Sequence, residues 1–109
     1  AECLVEQGRA GDAAPYVNQV RARAGLPAVT TINAEVVANE RRHELAFENH
    51  RWYDLLRTGK AIEVMTAYGK YINTELPERT YQIKPEYLLY PIPYNELQLN
   101  DQLKQNPGY

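Results

Sequence analysis

The stretch NAEVVANERRHELAFENHRWYDLLRTG, Asn33 to Gly59, decides how this chain is read. Asn33 is a helix N-cap type, Glu35 favours the positive end of a helix dipole, and Gly59 can close the last turn in a left-handed conformation. No proline or glycine lies between them, so the spacing predicts one helix of about seven turns at 3.6 residues each. Stepping about 100° per residue, Val36, Leu45, Phe47, Trp52, Leu55 and Leu56 share one broad arc, the pattern of a buried face. Glu40, Arg41, Glu44, Glu48 and Arg51 fall in the middle of that arc, whereas Asn39, Arg42, His43, Ala46, His50, Tyr53 and Arg57 lie opposite. Charge at the centre of a contact face is tolerated only when it is paired and hydrogen-bonded. The five residues are therefore expected to form a buried structural ion-pair network.

Outward from this helix, Ala1 to Leu26 reads as a helical hairpin. Leu4 and Val5 supply apolar contacts before Gly8, and Asp12 is placed to cap a second helix with Pro15 in its first turn. Ala14, Val17, Val20 or Arg21, and Ala24 form its inward stripe, and Gly25 with Pro27 stops it. The pair loosely follows a tetratricopeptide unit, of which no second copy is visible. Pro27 to Ile32 is an extended linker. Beyond Gly59, Ile62 and Met65 predict a short amphipathic helix over 60–68, followed by an irregular loop from Gly69 to Arg79. Tyr81 to Tyr90 reads as extended, with a short hairpin as one form of it. Pro91-Ile92-Pro93 is held near polyproline geometry, and Tyr94 to Asn100 reads as a helical turn. The tail Gln102 to Tyr109 is expected to dock on the helical body through Leu97, Leu99, Leu103 and Tyr109.

The expected fold is thus mostly α: a tetratricopeptide-like pair (1–26), one long central helix (33–59), then a short helix, loop and docked tail (60–109). The 109 residues suffice for one small domain. A hydrophobic share of 44%, a charged share of 24% and a net charge of −2 lack the basic excess of nucleic-acid binders. Arg79 and Lys84 are too scattered to track a phosphate backbone. The single cysteine, Cys3, permits no internal disulfide, and no apolar run is long enough to span a bilayer. The chain opens as though already inside a helix, the expectation for a C-terminal piece of a longer polypeptide. Nine tyrosines against one phenylalanine favour a wet, half-buried interface or a sugar platform.

His43-Glu44 opens like the zinc helix HExxH, but Phe47 occupies the place of the second histidine. Glu40 and His43 have the ExxH spacing of di-iron bundles without the second ExxH that such a site needs. No metal or other cofactor is expected. Glu44 and Glu48, one turn apart, could be the acid and base of a glycosidase. Arg41 and Arg51 on the same arc would hold both ionised, whereas a catalytic acid must keep its proton. A serine triad is excluded because the chain has no serine. Trp52 reads as core. Tyr68, Tyr71 and Tyr81, in or beside the irregular loop, are the candidate ligand-binding residues: their rings either stack on the C–H face of a pyranose or close the loop over the helices.

Four segments, in this order, carry a resemblance: YVNQVRARAGL (Tyr16–Leu26), NERRHELAFENHRWYDLLRTGKA (Asn39–Ala61), LLYPIPYNELQLN (Leu88–Asn100) and QNPGY (Gln105–Tyr109). Glu40, Arg41, Glu44, Leu45, Phe47, Glu48, Arg51, Asp54, Leu55 and Arg57 have the spacing ER-x-x-EL-x-FE-x-x-R-x-x-DL-x-R. The chain resembles the C-terminal part of SusD/RagB-type outer-membrane nutrient-binding proteins, with Asn49 where glycine is more usual and Tyr94 where glutamine is common. The resemblance implies a non-enzymatic, outward-facing surface lipoprotein that binds glycan or peptide and partners a SusC-type TonB-dependent transporter. It implies membrane contact only through an N-terminal lipid anchor outside this chain, a role that Cys3 does not inherit. The alternative from another class is a tetratricopeptide-like scaffold for proteins or peptides.

Overall fold

A computed structural model describes residues 1–78 and 80–109 of the chain. Arg79, the expected end of the irregular loop, lies outside the described residues. The elements are α1 (Glu2–Glu6), α2 (Ala10–Arg23), α3 (Ala34–Glu44), α4 (Arg51–Arg57), α5 (Ala61–Glu75), a 3₁₀ turn (Pro85–Leu88) and α6 (Tyr94–Leu99). The described residues include no strand, in line with the mostly α expectation. Contacts divide the chain into two compact units, Ala1–Arg51 and Trp52–Tyr109.

In the first unit α1 packs on α2 and α3. Ala13, Val17, Ile32 and Val37 form its buried core, with Leu4, Val5, Ala14, Val29 and Val36 packed around them. Helix α2 starts earlier than expected. Arg9 is its N-cap residue, and Asp12 lies inside the first turn, paired with Arg9 at 2.8 Å rather than capping. The inward stripe accordingly includes Ala13, while Ala24 faces solvent. The linker after α2 is extended and has no neighbouring strand, so its backbone must find partners elsewhere. Asn18 supplies them. Its Oδ1 accepts from the Val29 N–H at 2.8 Å and its Nδ2 donates to the Val29 carbonyl at 3.0 Å. Arg21 Nε donates to the Pro27 carbonyl at 2.8 Å, and Asn33 caps α3 as expected by accepting from the Val36 N–H at 2.8 Å.

The long central helix is not continuous. Helix α3 ends at Glu44, and α4 begins only at Arg51. Between them Ala46 N bonds His43 O and Glu48 N bonds Leu45 O, turn-type bonds that replace the helical ladder. Phe47 (φ 68°) and Asn49 (φ 61°) take left-handed conformations. Asparagine tolerates that region, which a phenylalanine seldom enters. Phe47, expected on the buried arc, is fully exposed. Without burial, nothing rewards continuing the helix through this stretch, because propensity alone is a weak determinant. The arc drawn across Asn33–Gly59 therefore breaks at its middle, and no described charged residue is fully buried.

In the second unit Leu55 of α4 and Ala61 of α5 are buried. Gly59 (φ 67°) closes α4 as expected, with Lys60 N bonding Leu55 O at 2.9 Å. Helix α5 then runs well past the expected 60–68, through Gly69 to Glu75. A glycine inside a helix costs about 0.8–1.0 kcal/mol relative to alanine. Here the missing side chain makes room: a Cβ on Gly69 would lie 2.6 Å from Cδ1 of Tyr81. The segment after α5 folds back onto this point. Asn73, one turn beyond Gly69, accepts from the Tyr81 N–H at 2.7 Å and donates to the Tyr81 carbonyl at 3.1 Å.

Tyr81 to Tyr90 is not a hairpin. Pro85 starts a 3₁₀ turn instead, and α6 forms at Tyr94–Leu99 as expected. The tail docks, but through polar groups and onto the 86–92 segment. Gln105 accepts from the Ile92 N–H at 2.8 Å and donates to the Ile92 carbonyl at 2.9 Å, and Asn106 Nδ2 donates to Tyr90 O at 2.7 Å. Tyr109 donates its hydroxyl proton to Leu89 O at 2.9 Å, and its ring lies 5.9 Å from that of Tyr87. Gly108 has φ 92°, and a Cβ there would meet Glu86 Cβ at 2.7 Å, so the turn requires glycine. Leu99, expected to anchor the tail, is exposed.

Gln105→Leu keeps the volume of this residue but strands both polar groups of Ile92. The expected loss is about 1–3 kcal/mol, read from urea melts, with the Ile92 amide losing hydrogen-exchange protection first. Unchanged protection at Ile92 would show that Gln105 does not hold the tail.

Candidate functional site

The three candidate tyrosines are brought together in the second unit. Tyr68 and Tyr71 are three residues apart on α5, hence neighbours on its surface, and are half or more exposed. Tyr81 arrives from the following segment, and its ring meets that of Tyr68 edge to face, at 6.1 Å between centroids and 79° between planes. That geometry is favourable for two rings with opposed face and edge charge. The expected surroundings change, however: Tyr68 and Tyr71 stand on a regular helix rather than in or beside a loop.

Gly69 and Asn73, which seat Tyr81, were not singled out from sequence. Their signal was there in part: a glycine and an asparagine four residues apart share a helix face, which only a helical reading of 69–75 reveals.

The charged residues of 40–51 are dispersed. Glu40 is mostly buried, and its carboxylate accepts from Arg21 of α2 at 2.8 Å. Glu44 pairs with Arg23 of α2 at a more exposed position. Glu48 lies in the turn after α3, with its carboxylate 4.0 Å from His50. Arg41 is half-buried in α3 and engaged with other groups, and Arg51 opens α4. The pairs involving Glu40 and Glu44 thus join α3 to α2. Among the described residues no group of three or more His, Cys, Asp or Glu side chains is placed to hold a metal ion.

Comparison with known proteins agrees with this fold. The SusD family model matches residues 1–109. SusD-like protein P38 of Formosa agariphila is 34% identical over 122 residues, covering all of this chain and 22% of that protein. SusD-like protein P25 of the same organism is also 34% identical, over 127 residues, with the same shares covered. Among solved structures, a laminarin-binding SusD-like protein has 41% identity and a TM-score of 0.62, covering 89% of this chain and 18% of its own. A SusD-like protein from Bacteroides fragilis has 28% identity and a TM-score of 0.68, covering 99% and 23%. The chain belongs to the SusD family. It spans about a fifth of the length of the curated relatives it matches.

The two ion pairs differ in burial and therefore in worth. Arg21→Ala or Glu40→Ala should cost about 1.5–3 kcal/mol, as hydrogen bonds to charged groups do. Arg23→Ala or Glu44→Ala should cost about 0–1 kcal/mol, and less in high salt. Urea melts of the four variants at low and high salt separate these values, and equal losses for both pairs would contradict the assignment.

Proposed function

We propose that this chain is part of a non-enzymatic, glycan-binding SusD-like protein, in which both compact units belong to one larger domain. The laminarin-binding relative, 41% identical over 89% of this chain, is the observation that carries the reading. Tyr68, Tyr71 and Tyr81 form the platform: Tyr68 and Tyr71 offer exposed rings from α5, and Tyr81 buttresses the first. Family membership supports an outward-facing position on the outer membrane, a lipid anchor elsewhere in the polypeptide, and partnership with a SusC-type TonB-dependent transporter. The pairing of Glu40 and Glu44 with Arg21 and Arg23 of α2 supports a structural role for these two carboxylates. Laminarin chemistry is the first ligand class to test.

Titration calorimetry of the full-length protein with a soluble laminarin oligosaccharide provides that test. Binding is expected, and Tyr68→Ala and Tyr71→Ala should each weaken it about tenfold, the equivalent of 1.4 kcal/mol. The oligosaccharide should be recovered without hydrolysis. Binding that neither substitution alters would remove the platform from the proposal, and cleavage of the sugar would remove the non-enzymatic reading.

A further inference from the structure

We propose that Gly69 and Asn73 are positioning residues for the tyrosine platform, fixing Tyr81 against Tyr68 before any ligand arrives. The claim rests on the reading of Tyr68, Tyr71 and Tyr81 as glycan contacts. Three observations carry it. Asn73 grips both polar backbone groups of Tyr81, at 2.7 and 3.1 Å, which fixes the backbone of Tyr81 against α5 at two points. Gly69 leaves the space that the Tyr81 ring occupies. A Cβ there would come within 2.6 Å of Cδ1, 3.3 Å of Cε1 and 3.1 Å of the Tyr81 carbonyl oxygen. The ring so seated meets Tyr68 at 79°, with the centroids 6.1 Å apart.

Each feature has a cost that only the assembly explains. Glycine weakens the interior of α5, and asparagine is a poor helix former that prefers to bond local backbone. Together they make a flat seat and a two-point grip, one turn apart on a single helix face. A tyrosine whose backbone is held in this way has less freedom to lose when a ligand binds, and its ring contact with Tyr68 limits the freedom of that ring as well. Neither Gly69 nor Asn73 need touch the sugar. Their effect passes through Tyr81 to Tyr68.

The test uses the full-length protein, with two readouts. The first is the ring-to-ring nuclear Overhauser contact between Tyr68 and Tyr81, which needs no ligand. The second is affinity for the laminarin oligosaccharide. Asn73→Leu and Gly69→Ala should each abolish the ring contact and weaken binding about tenfold. Asn73→Asp keeps the acceptor for the Tyr81 N–H but sets a carboxylate against the Tyr81 carbonyl, and should fall between them and the parent. Thermal unfolding checks that each variant is folded, and Gly69→Ala serves if Asn73→Leu is not. The proposal is overturned if the ring contact survives both substitutions, or if affinity falls while the contact stays intact. If the parent protein does not bind the oligosaccharide, the glycan reading fails for that sugar, and the ring contact alone decides whether Gly69 and Asn73 position Tyr81.

Discussion

A primary carboxamide laid against the N–H and C=O of a single residue is the interaction on which this structure depends. Asn18 grips Val29, Asn73 grips Tyr81 and Gln105 grips Ile92, each by one accepted and one donated hydrogen bond. The arrangement is that of two paired strand residues, with a side chain in place of the second strand. It answers a specific need. The extended segments here have no strand partner, yet their backbone groups cannot be left unpaired as they approach the helices. A neutral amide satisfies donor and acceptor together, which an ionised carboxylate or an ammonium group cannot do. The gripped residues lie 11, 8 and 13 positions away in sequence, so each loop closes at small entropic cost.

That device also explains which features could be read from the sequence. Helix ends declared by local chemistry were legible: Asn33 caps α3 with its own side chain, Gly59 ends α4, and α6 follows the constrained Pro91-Ile92-Pro93 run. Where the outcome depended on distant partners, local signals misled. Gly69 looked like a breaker, but the Tyr81 ring fills the space it leaves and α5 passes straight through. Asn33–Gly59 looked like unbroken helix because it contains no glycine or proline inside. Asn49, at the position where the family more often has glycine, was the one local sign of the left-handed turn that separates α3 from α4. Of the residues expected to dock the tail, Tyr109 does so through its hydroxyl, whereas Leu99 is exposed and Gln105 and Asn106 add the polar hold through backbone carbonyls and an amide. Carboxamide grips leave no periodic trace, so hydrophobic patterning could not locate them. For the candidate site, the residue types of the tyrosines were visible, whereas the backbone bonds from Asn73 to Tyr81 that accompany the Tyr68–Tyr81 contact were not.

The charged row shows how strongly a helical wheel depends on continuity. Glu40, Arg41 and Glu44 remain on one helix and keep their relation, and two of them reach the arginines of α2. Arg21 and Arg23 are two residues apart and so point to different sides of α2. One pair is consequently enclosed and the other lies at the solvent edge. Electrostatic attraction is the same in kind at both, but water screens the outer pair and the inner one adds a bond from Arg21 to the Pro27 carbonyl. The enclosed pair thus ties three pieces together: α2, the linker and α3.

The same break bears on chemistry. A hydrolytic reading of Glu44 and Glu48 required them to sit one helical turn apart, with one carboxyl holding its proton by burial or by its neighbour's charge. The helix ends at Glu44, so the repeat that would set their separation does not extend to Glu48. Glu44 instead pairs with the guanidinium of Arg23, and Glu48 occupies an exposed turn beside His50. By contrast, the aromatic cluster of the second unit is held by neutral groups, a glycine seat and an amide grip, that orient rings without offering acid or base. Fixed geometry in the second unit thus gathers around the rings of Tyr68 and Tyr81, whereas Glu44 and Glu48 of the first unit stand in separate settings, one paired across to α2 and one in an exposed turn.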